Sequence, residues 1–370
     1  MMNKPTPFSQ ISLYRDELMG IAILWIIFYH AAITMSHLPL LFPITFLKQS
    51  GYGGADIFFF ISGFSLFAGW HQNRYTVVKF YKQRFLRIMP TYWIVVALYF
   101  LIRYFIDGNV SIAEIAAMAT GFNFYLNLQN VLTFWFVPAI LVCYALFPFM
   151  VGLLEQKKKF STTACIVMAV CFLALSFLAT VSKFYYLLIL LIRLVVFLSG
   201  IYAGYLFVTK DNMSPFKSTK LNAALLCVGL LFLYLIIYFT SSYTLWRYGL
   251  WWYPFLLITF PLCLFISGAL VSLERDFSAN SVLALFRKSL AFCGRYSLEI
   301  YLIHVTIFLL FPHLIGKYLF IPAQHPFNTT RIPEYTVYTI MALGLAPLLH
   351  KLTFFRRSSA QTIIKKQFLR

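Results

Sequence analysis

The chain has little charge and very few acidic residues, which excludes most classes of soluble protein. Charged residues make up 11% of its 370 positions, and Asp and Glu together number 11 against 30 Lys and Arg. Hydrophobic residues reach 61%, and the mean hydropathy is +0.80. Soluble domains are roughly half apolar and about a quarter charged, so a soluble fold could not bury this much apolar surface. The composition predicts an integral membrane protein.

The sequence also lacks the motifs of a metal site or a disulfide framework. Its six cysteines all fall within apolar stretches, with no CxxC pair and no Cys and His cluster at metal-ligand spacing. They are interpreted as small core residues, and no metal is expected. A net charge of +19 would suggest nucleic-acid binding in a soluble protein. In a membrane protein we expect lipid as the partner of these cations, and no nucleic acid.

Long apolar segments follow one another along nearly the whole chain. A helix needs roughly 20 mostly apolar residues to cross the hydrocarbon core. Ten segments meet this requirement, near residues 18 to 37, 55 to 70, 89 to 106, 134 to 154, 161 to 181, 184 to 207, 221 to 240, 250 to 272, 296 to 315 and 334 to 352. The first lacks a convincing cleavage site, so we interpret it as a retained helix and not as a signal peptide. The predicted fold class is an all-α polytopic membrane protein with about ten transmembrane helices.

Positive charge is distributed unevenly between the two ends of these spans. If the first span starts in the cytoplasm, 23 of the 30 Lys and Arg residues lie inside and 5 outside, while Arg103 and Arg193 fall within spans. Cytoplasmic loops carry the excess of Lys and Arg in membrane proteins, so both termini are predicted to be cytoplasmic. The expected organisation is a cytoplasmic segment at 1–17, a transmembrane domain at 18–352 and a basic cytoplasmic tail at 353–370.

Ionisable groups inside the spans are few and therefore informative. A charge near the bilayer centre costs about 2.5 to 3.5 kcal/mol on insertion scales and usually marks a functional site. His30 lies deep in the first span, where a neutral imidazole could accept a proton from a hydroxyl as a general base. Glu299 and His304 share the ninth span, about 140° apart around the helix axis, and need not touch. For each of the three, a polar contact between helices is the alternative interpretation.

Further polar residues stand at the ends of spans. Asp56 lies at the outer start of the second span, where its carboxylate could orient a histidine or cap the helix. Arg84 and Arg87 lie on one helical face just before Pro90, which is expected to open the third span. Their guanidinium groups could bind phosphate. Alternatively, they could anchor the helix to anionic lipid.

Five segments, taken in order, resemble the acyltransferase-3 family of membrane-bound acyltransferases. They are GIAILWIIFYHA, GADIFFFISGF, RFLRIMPTYW, FWFVPAILVCYALFP and YSLEIYLIH, and they lie between about residues 14 and 310. The resemblance implies that His30 is the essential base, that Arg84 and Arg87 match the arginine pair of the family, and that His304 matches its late histidine. Family members commonly carry Arg or Lys eleven residues before the base. This chain has Met19 there, and Arg15 one turn earlier could substitute.

These observations define a candidate site within the matching segments. The catalytic candidates are His30, Asp56 and Glu299, the candidates for binding acyl-CoA are Arg84, Arg87 and Arg15, and the candidates for acceptor contact are Ser62, Trp135, Tyr301 and His304. Some family members carry an esterase-like domain after the helices, and we expect none in this chain. An acceptor would then have to reach the membrane core directly, or a separate protein would have to deliver the acyl group to it.

The resemblance also implies an activity and a location. The expected function is transfer of an acyl group, most commonly acetyl, from cytoplasmic acetyl-CoA to a hydroxyl of a cell-envelope glycan or glycolipid at the bacterial inner membrane. His30 could act as a base or as a transient acyl carrier. The alternative from another class is a secondary transporter or flippase, in which buried His and Glu relay protons. A transporter would be expected to show inverted repeats, and none is visible by inspection.

Overall fold

The computed structural model of the chain describes residues 7–31, 42–73, 76–125, 134–156, 159–182, 184–209, 216, 218–276, 282–318 and 332–353. The outer end of the first predicted span and nearly all of the basic tail lie outside these residues. The described helices are α1 (Pro7–Leu13), α2 (Arg15–His30), α3 (Phe42–Gln49), α4 (Gly54–Asn73), α5 (Val77–Asp107), α6 (Ile112–Thr120), α7 (Phe122–Tyr125), α8 (Phe136–Leu154), α9 (Thr162–Val181), α10 (Leu188–Thr209), α11 (Thr219–Phe239), α12 (Ser242–Tyr248), α13 (Phe255–Asp276), α14 (Val282–Arg295), α15 (Ser297–Tyr318) and α16 (Ile332–Thr353).

Two short 3₁₀ turns and one minimal hairpin complete the described structure. The turns are Gly51–Gly53, immediately before α4, and Tyr185–Leu187, immediately before α10. The hairpin pairs β1 (Glu155–Gln156) with β2 (Lys159–Phe160) in antiparallel register, directly after α8. The architecture of the described residues is therefore helical throughout, apart from these four paired residues.

Several helices have the dimensions of membrane spans. Within the described ranges, seven are long and apolar enough to cross a membrane, or eight if α14 and α15, bent by 76° against each other, count as one. The all-α polytopic membrane architecture is confirmed. The first and last predicted spans are occupied by α2, with 16 residues, and by α16, but neither is among the seven. The number ten and the cytoplasmic termini stay predictions.

One predicted boundary is wrong. Helix α5 runs from Val77 to Asp107 without interruption, so Pro90 lies inside it and does not open it. The helix starts where the Thr76 side chain accepts a hydrogen bond from the backbone N–H of Lys79, at 3.4 Å. Polarity marks where a helix enters the membrane, whereas capping marks where it begins, and in α5 the two points lie about three turns apart.

Helices α4 and α10 form the centre of the structure. In their most apolar segments 78% and 72% of residues are buried, against 22% in the peripheral α9 and α11. A Cβ on Gly63 would lie 2.2 Å from the carbonyl oxygen of Phe197, and one on Gly200 would lie 2.1 Å from that of Phe60. Only glycine permits this approach of two backbones. The contact fixes the register of α4 against α10.

A second glycine contact joins α2 to α14. A Cβ on Gly20 would lie 2.0 Å from the carbonyl oxygen of Leu290, and one on Gly294 would lie 1.7 Å from that of Asp16. These backbones are packed as closely as those of α4 and α10. Since α15 follows α14 directly, the contact also sets the position of α15 relative to α2.

A polar network ties the same helices together near the start of α2. Arg287 on α14 lies 2.6 Å from Glu274 on α13 and 3.3 Å from Glu17 on α2, and its guanidinium covers the ring of Tyr14 at 5.0 Å. The hydroxyl of Tyr14 donates to Glu274. Burial and this hydrogen bond raise the pKa of Tyr14 above its usual value. The network thus reinforces the position that the glycines give to α14.

Candidate functional site

Two histidines from distant parts of the chain meet inside the helical core. His30 is the last residue of α2, and its Nδ1 lies 3.2 Å from Nε2 of His304 on α15, which is 274 positions away. Gly20 and Gly294, where the backbones touch, each precede one of these histidines by ten residues. The sequence placed both histidines within spans but did not predict their contact.

The hydrogen bonds of the pair determine its tautomers. His304 Nδ1 lies 3.0 Å from the carbonyl oxygen of Ile300, which can only accept, so this nitrogen carries a hydrogen. In a neutral ring, Nε2 of His304 then has a lone pair and accepts from Nδ1 of His30. The remaining nitrogen of His30, Nε2, keeps its own lone pair. Its chemistry is that of a base held in one orientation.

His30 faces a cavity of about 230 Å³. Three tryptophans and three tyrosines line it together with His30 and Arg193, namely Trp135, Trp251, Trp252, Tyr29, Tyr52 and Tyr301. His30 is open to this space, whereas His304 lies behind it and is 0% exposed. Of the predicted acceptor contacts, Trp135 and Tyr301 therefore line the cavity. His304 supports His30 from behind, and the half-buried Ser62 on α4 is not among the lining residues.

One residue of the cavity wall, Arg193, belongs to a buried ion pair. Asp56 in the first turn of α4 lies 3.3 Å from Nη2 of Arg193 on α10, with side-chain exposures of 0% and 1%. Each residue lies two helical turns before the glycine of its own helix at the α4 and α10 contact, Gly63 or Gly200. Asp56 thus binds Arg193, while His30 has hydrogen bonds with the His304 side chain and with the backbone of Ile26. The sequence marked Arg193 as a charge within a span but assigned it no role.

The aromatic side chains hold Arg193 and the cavity wall in place. The Arg193 guanidinium lies 4.6 Å from the centre of the Trp135 ring and 5.6 Å from that of Trp252, which are distances of cation–π attraction. The hydroxyl of Tyr52 donates to the carbonyl oxygen of Trp251 at 2.9 Å. Trp252 and Tyr52 were not predicted as site residues, since aromatic residues at span ends are most often part of an interface belt.

The three predicted acyl-CoA ligands lie together at the other end of α2. Arg84 covers the ring of Tyr144 at 6.0 Å and that of Phe80 at 5.6 Å. Arg87 and Tyr144 both act electrostatically on Arg15, the first residue of α2. Arg15 also donates to Ser65 on α4 at 3.2 Å. Its Nη1 lies 3.0 Å from the carboxylate of Asp16. The arginines therefore form a positive cluster of α2 and α5, in which Arg87 repels Arg15 and Asp16 attracts it.

Glu299 lies apart from the cavity. Its Oε1 is 2.6 Å from Nδ1 of His350 on α16, and the carboxylate is 4% exposed. The structure brings Glu299 together with His350 and not with His30 or Asp56. His350 was not among the residues singled out from the sequence.

One more cation lies near His30. Lys48 in the last turn of α3 is half-buried and acts electrostatically on His30. Burial lowers the pKa of Lys48 below its usual value. Within the described ranges, no group of three His, Cys, Asp or Glu side chains is placed to hold a metal ion. The polar and aromatic groups of the cavity wall are one imidazole, one guanidinium, three indole rings and three phenol rings.

Comparison with known proteins gives one match. A family model described as an acyltransferase domain matches residues 16–351, which include every predicted site residue except Arg15. No curated protein and no solved structure matches the chain.

Proposed function

The chain belongs to the acyltransferase-3 family of membrane-bound acyltransferases, and we propose that it transfers an acyl group from cytoplasmic acyl-CoA to a hydroxyl of an envelope glycan. The observation that carries the proposal is the His30 and His304 pair, which leaves Nε2 of His30 with a lone pair at the wall of an aromatic cavity. His304 donates to Ile300 and accepts from His30, so both of its ring nitrogens are engaged within the protein. We take this as support for one oriented base over a proton relay.

The proposal includes the ten-span topology with both termini in the cytoplasm. The seven single helices, the bent pair of α14 and α15, and helices α2 and α16 occupy all ten predicted positions. The excess of Lys and Arg puts the start of α2 inside. The cavity is lined by the end of α2 and the starts of α4, α8 and α10, so it opens towards the outer side, while Arg15, Arg84 and Arg87 lie at the inner end.

We place the donor between these two ends. The phosphates of CoA bind the arginine cluster, because guanidinium groups match phosphate oxygens bidentately. From Arg15 to His30 the helix rises roughly 22 Å at 1.5 Å per residue. The pantetheine arm is thin and extended, and in this arrangement it carries the thioester from the cluster to the cavity. Arg15 thereby takes the place of the basic residue that family members commonly have where this chain has Met19.

The acceptor enters from the outer side. The cavity of about 230 Å³ is smaller than the roughly 300 to 1,000 Å³ of drug-sized ligand sites, which favours a small acyl group such as acetyl and a single sugar ring. Sugar rings present C–H faces that pack on Trp and Tyr, and the wall supplies three of each. These features support a glycan or glycolipid of the bacterial envelope as the acceptor, at the inner membrane.

The proposed reaction is a direct transfer. His30 Nε2 takes the proton of the sugar hydroxyl, the hydroxyl oxygen attacks the thioester carbon, and the CoA thiolate leaves and recovers the proton from the imidazolium. Transient acylation of His30 itself would use the same lone pair. Retention of the label on protein after a single turnover without acceptor would distinguish this second route.

The test uses the purified chain in lipid nanodiscs with labelled acetyl-CoA and envelope glycans from a deletion strain. We expect labelled O-acetyl sugar with wild-type protein and none with His30→Ala, although that variant should be expressed and monodisperse. Mass spectrometry of glycans from deletion and complemented strains would identify the acceptor. Substrate flux into vesicles that requires no CoA would contradict the proposal and favour a transporter.

A further inference from the structure

Arg193 has a donor that the fold does not use. Its Nη1 donates to the carbonyl oxygen of Ile189 at 3.2 Å and its Nη2 to Asp56 at 3.3 Å. Among the residues that the structure describes, none forms a hydrogen bond with Nε, although the side chain is only 1% exposed. A buried donor without a partner costs about 1 to 3 kcal/mol. Such a group requires an explanation, and a catalytic role is one that buried unsatisfied groups are known to have.

The side chain of Arg193 lines the same cavity as His30. It is held there by an ion pair and by two tryptophan rings, so it needs little rearrangement when a substrate arrives. The hydroxyl of Tyr52, another residue of the wall, already donates to the carbonyl oxygen of Trp251. The hydroxyl oxygen of Tyr301 accepts from the backbone N–H of Phe136.

We propose that Arg193 is the oxyanion donor of the acyl transfer, an inference that rests on the proposed function. When the acceptor oxygen attacks the thioester carbon, the electron pair of the carbonyl bond moves to the carbonyl oxygen. Arg193 Nε–H donates to this oxygen while His30 Nε2 holds the proton from the acceptor. The electron pair then re-forms the carbonyl bond, the carbon–sulfur bond breaks, and the thiolate takes the proton. The products are an O-ester and CoA.

Arg193 can stabilise the oxyanion strongly because the site has low polarity. A fixed cation in a space walled by aromatic rings stabilises a developing negative charge far more than it would in water. Asp56 neutralises Arg193 in the resting state, which makes the buried cation tolerable. Its carboxylate binds Nη2, so among the described residues Nε is the nitrogen left without a hydrogen-bond partner.

The difficulty of testing Arg193 is that its removal leaves Asp56 as an unpaired buried charge, which is strongly destabilising. The key variant is therefore the neutral pair Asp56→Asn with Arg193→Gln, which keeps the shape and a hydrogen bond between α4 and α10. A purely structural ion pair predicts that this double variant recovers both folding and turnover. An oxyanion donor predicts recovery of folding alone, with kcat about 10²- to 10³-fold below wild type and KM for acetyl-CoA within about twofold.

Two further variants make the result decisive. Arg193→Lys keeps the ion pair and its charge but removes Nε–H, and should lower kcat by at least about tenfold. If the neutral pair does not fold, this variant alone decides the question through its kcat. Lys48→Gln removes the other cation near His30 and should affect kcat less than either variant at Arg193.

The experiments separate a wrong role for Arg193 from a wrong proposed function. A wild-type chain that transfers no acyl group from any acyl-CoA would overturn the proposed function. A neutral pair or Arg193→Lys variant with kcat near that of wild type would overturn the role of Arg193 alone. An unchanged kcat with a raised acceptor KM would also overturn it, since Arg193 would then bind the acceptor and not the transition state.

Discussion

His304 contacts His30 on the side of the ring that faces away from the cavity, with 3.2 Å between Nε2 of His304 and Nδ1 of His30. The carbonyl oxygen of Ile300 in turn holds the hydrogen of His304 on Nδ1. The three groups form one hydrogen-bonded chain in which each atom has a single role. The reactive nitrogen of His30 is thereby defined by a residue that does not reach the cavity.

The first prediction concerns this hydrogen-bonded chain. His304→Phe should lower turnover by about 10- to 100-fold, the usual cost of removing a partner that orients a functional histidine. His304→Gln should retain more activity, because its amide oxygen can accept from Nδ1 of His30. Rates at saturating acetyl-CoA measure the effect. Equal losses in the two variants would indicate that His304 contributes packing and not orientation.

The second prediction concerns the contact of α2 with α14. Gly294→Ala should destabilise the protein by about 1 to 3 kcal/mol and reduce activity, because the new Cβ would lie 1.7 Å from the carbonyl oxygen of Asp16. The contact sets the register on which the histidine pair depends. Gly344→Ala on α16 is the matched control, since its Cβ would meet nothing within 4 Å. Thermal unfolding in detergent should separate the two variants clearly.

These two cases show what the sequence can and cannot predict. Apolar runs are local, so the positions of most long helices could be inferred from the hydropathy pattern along the chain. The partner of His30 could not, because it depends on two glycines that let distant helices approach. Similarly, Arg193 was visible as a charge in LLILLIRLVVF. Its pairing with Asp56 could not be predicted, because it depends on the packing of α4 on α10. From the local sequence, a helix cap was a sufficient explanation for Asp56.

The third prediction separates donor binding from chemistry. Arg84→Ala and Arg87→Ala should each raise KM for acetyl-CoA by about tenfold or more, since a hydrogen bond to a charged group contributes about 1.5 to 3 kcal/mol. The kcat at saturation should change little. Lys82→Ala, an exposed cation on the same helix, serves as the control. A comparable effect at Lys82 would mean that the basic end of α5 acts through general attraction to anionic lipid.

The fourth prediction concerns Glu299, for which the sequence suggested a catalytic role. Its carboxylate lies 2.6 Å from His350 and does not line the cavity. Glu299→Gln should therefore lower the thermal stability and leave kcat within about tenfold of wild type, a smaller loss than the 10²- to 10⁴-fold usual for an acid–base catalyst. If Glu299→Gln remains folded and its kcat falls as far as that of His30→Ala, Glu299 is a catalytic residue.

The ion pair of Asp56 and Arg193 also has a consequence for biogenesis. The two residues are 137 positions apart, and at about 5 to 20 residues per second a ribosome takes roughly 7 to 27 s to synthesise that length. During this interval α4 has left the ribosome with a carboxylate whose counterion does not yet exist. We therefore expect α4 to stay near the insertion machinery until α10 is made. A chain in which the two helices do not join would keep an unpaired charge at the membrane, which costs about 2.5 to 3.5 kcal/mol on insertion scales.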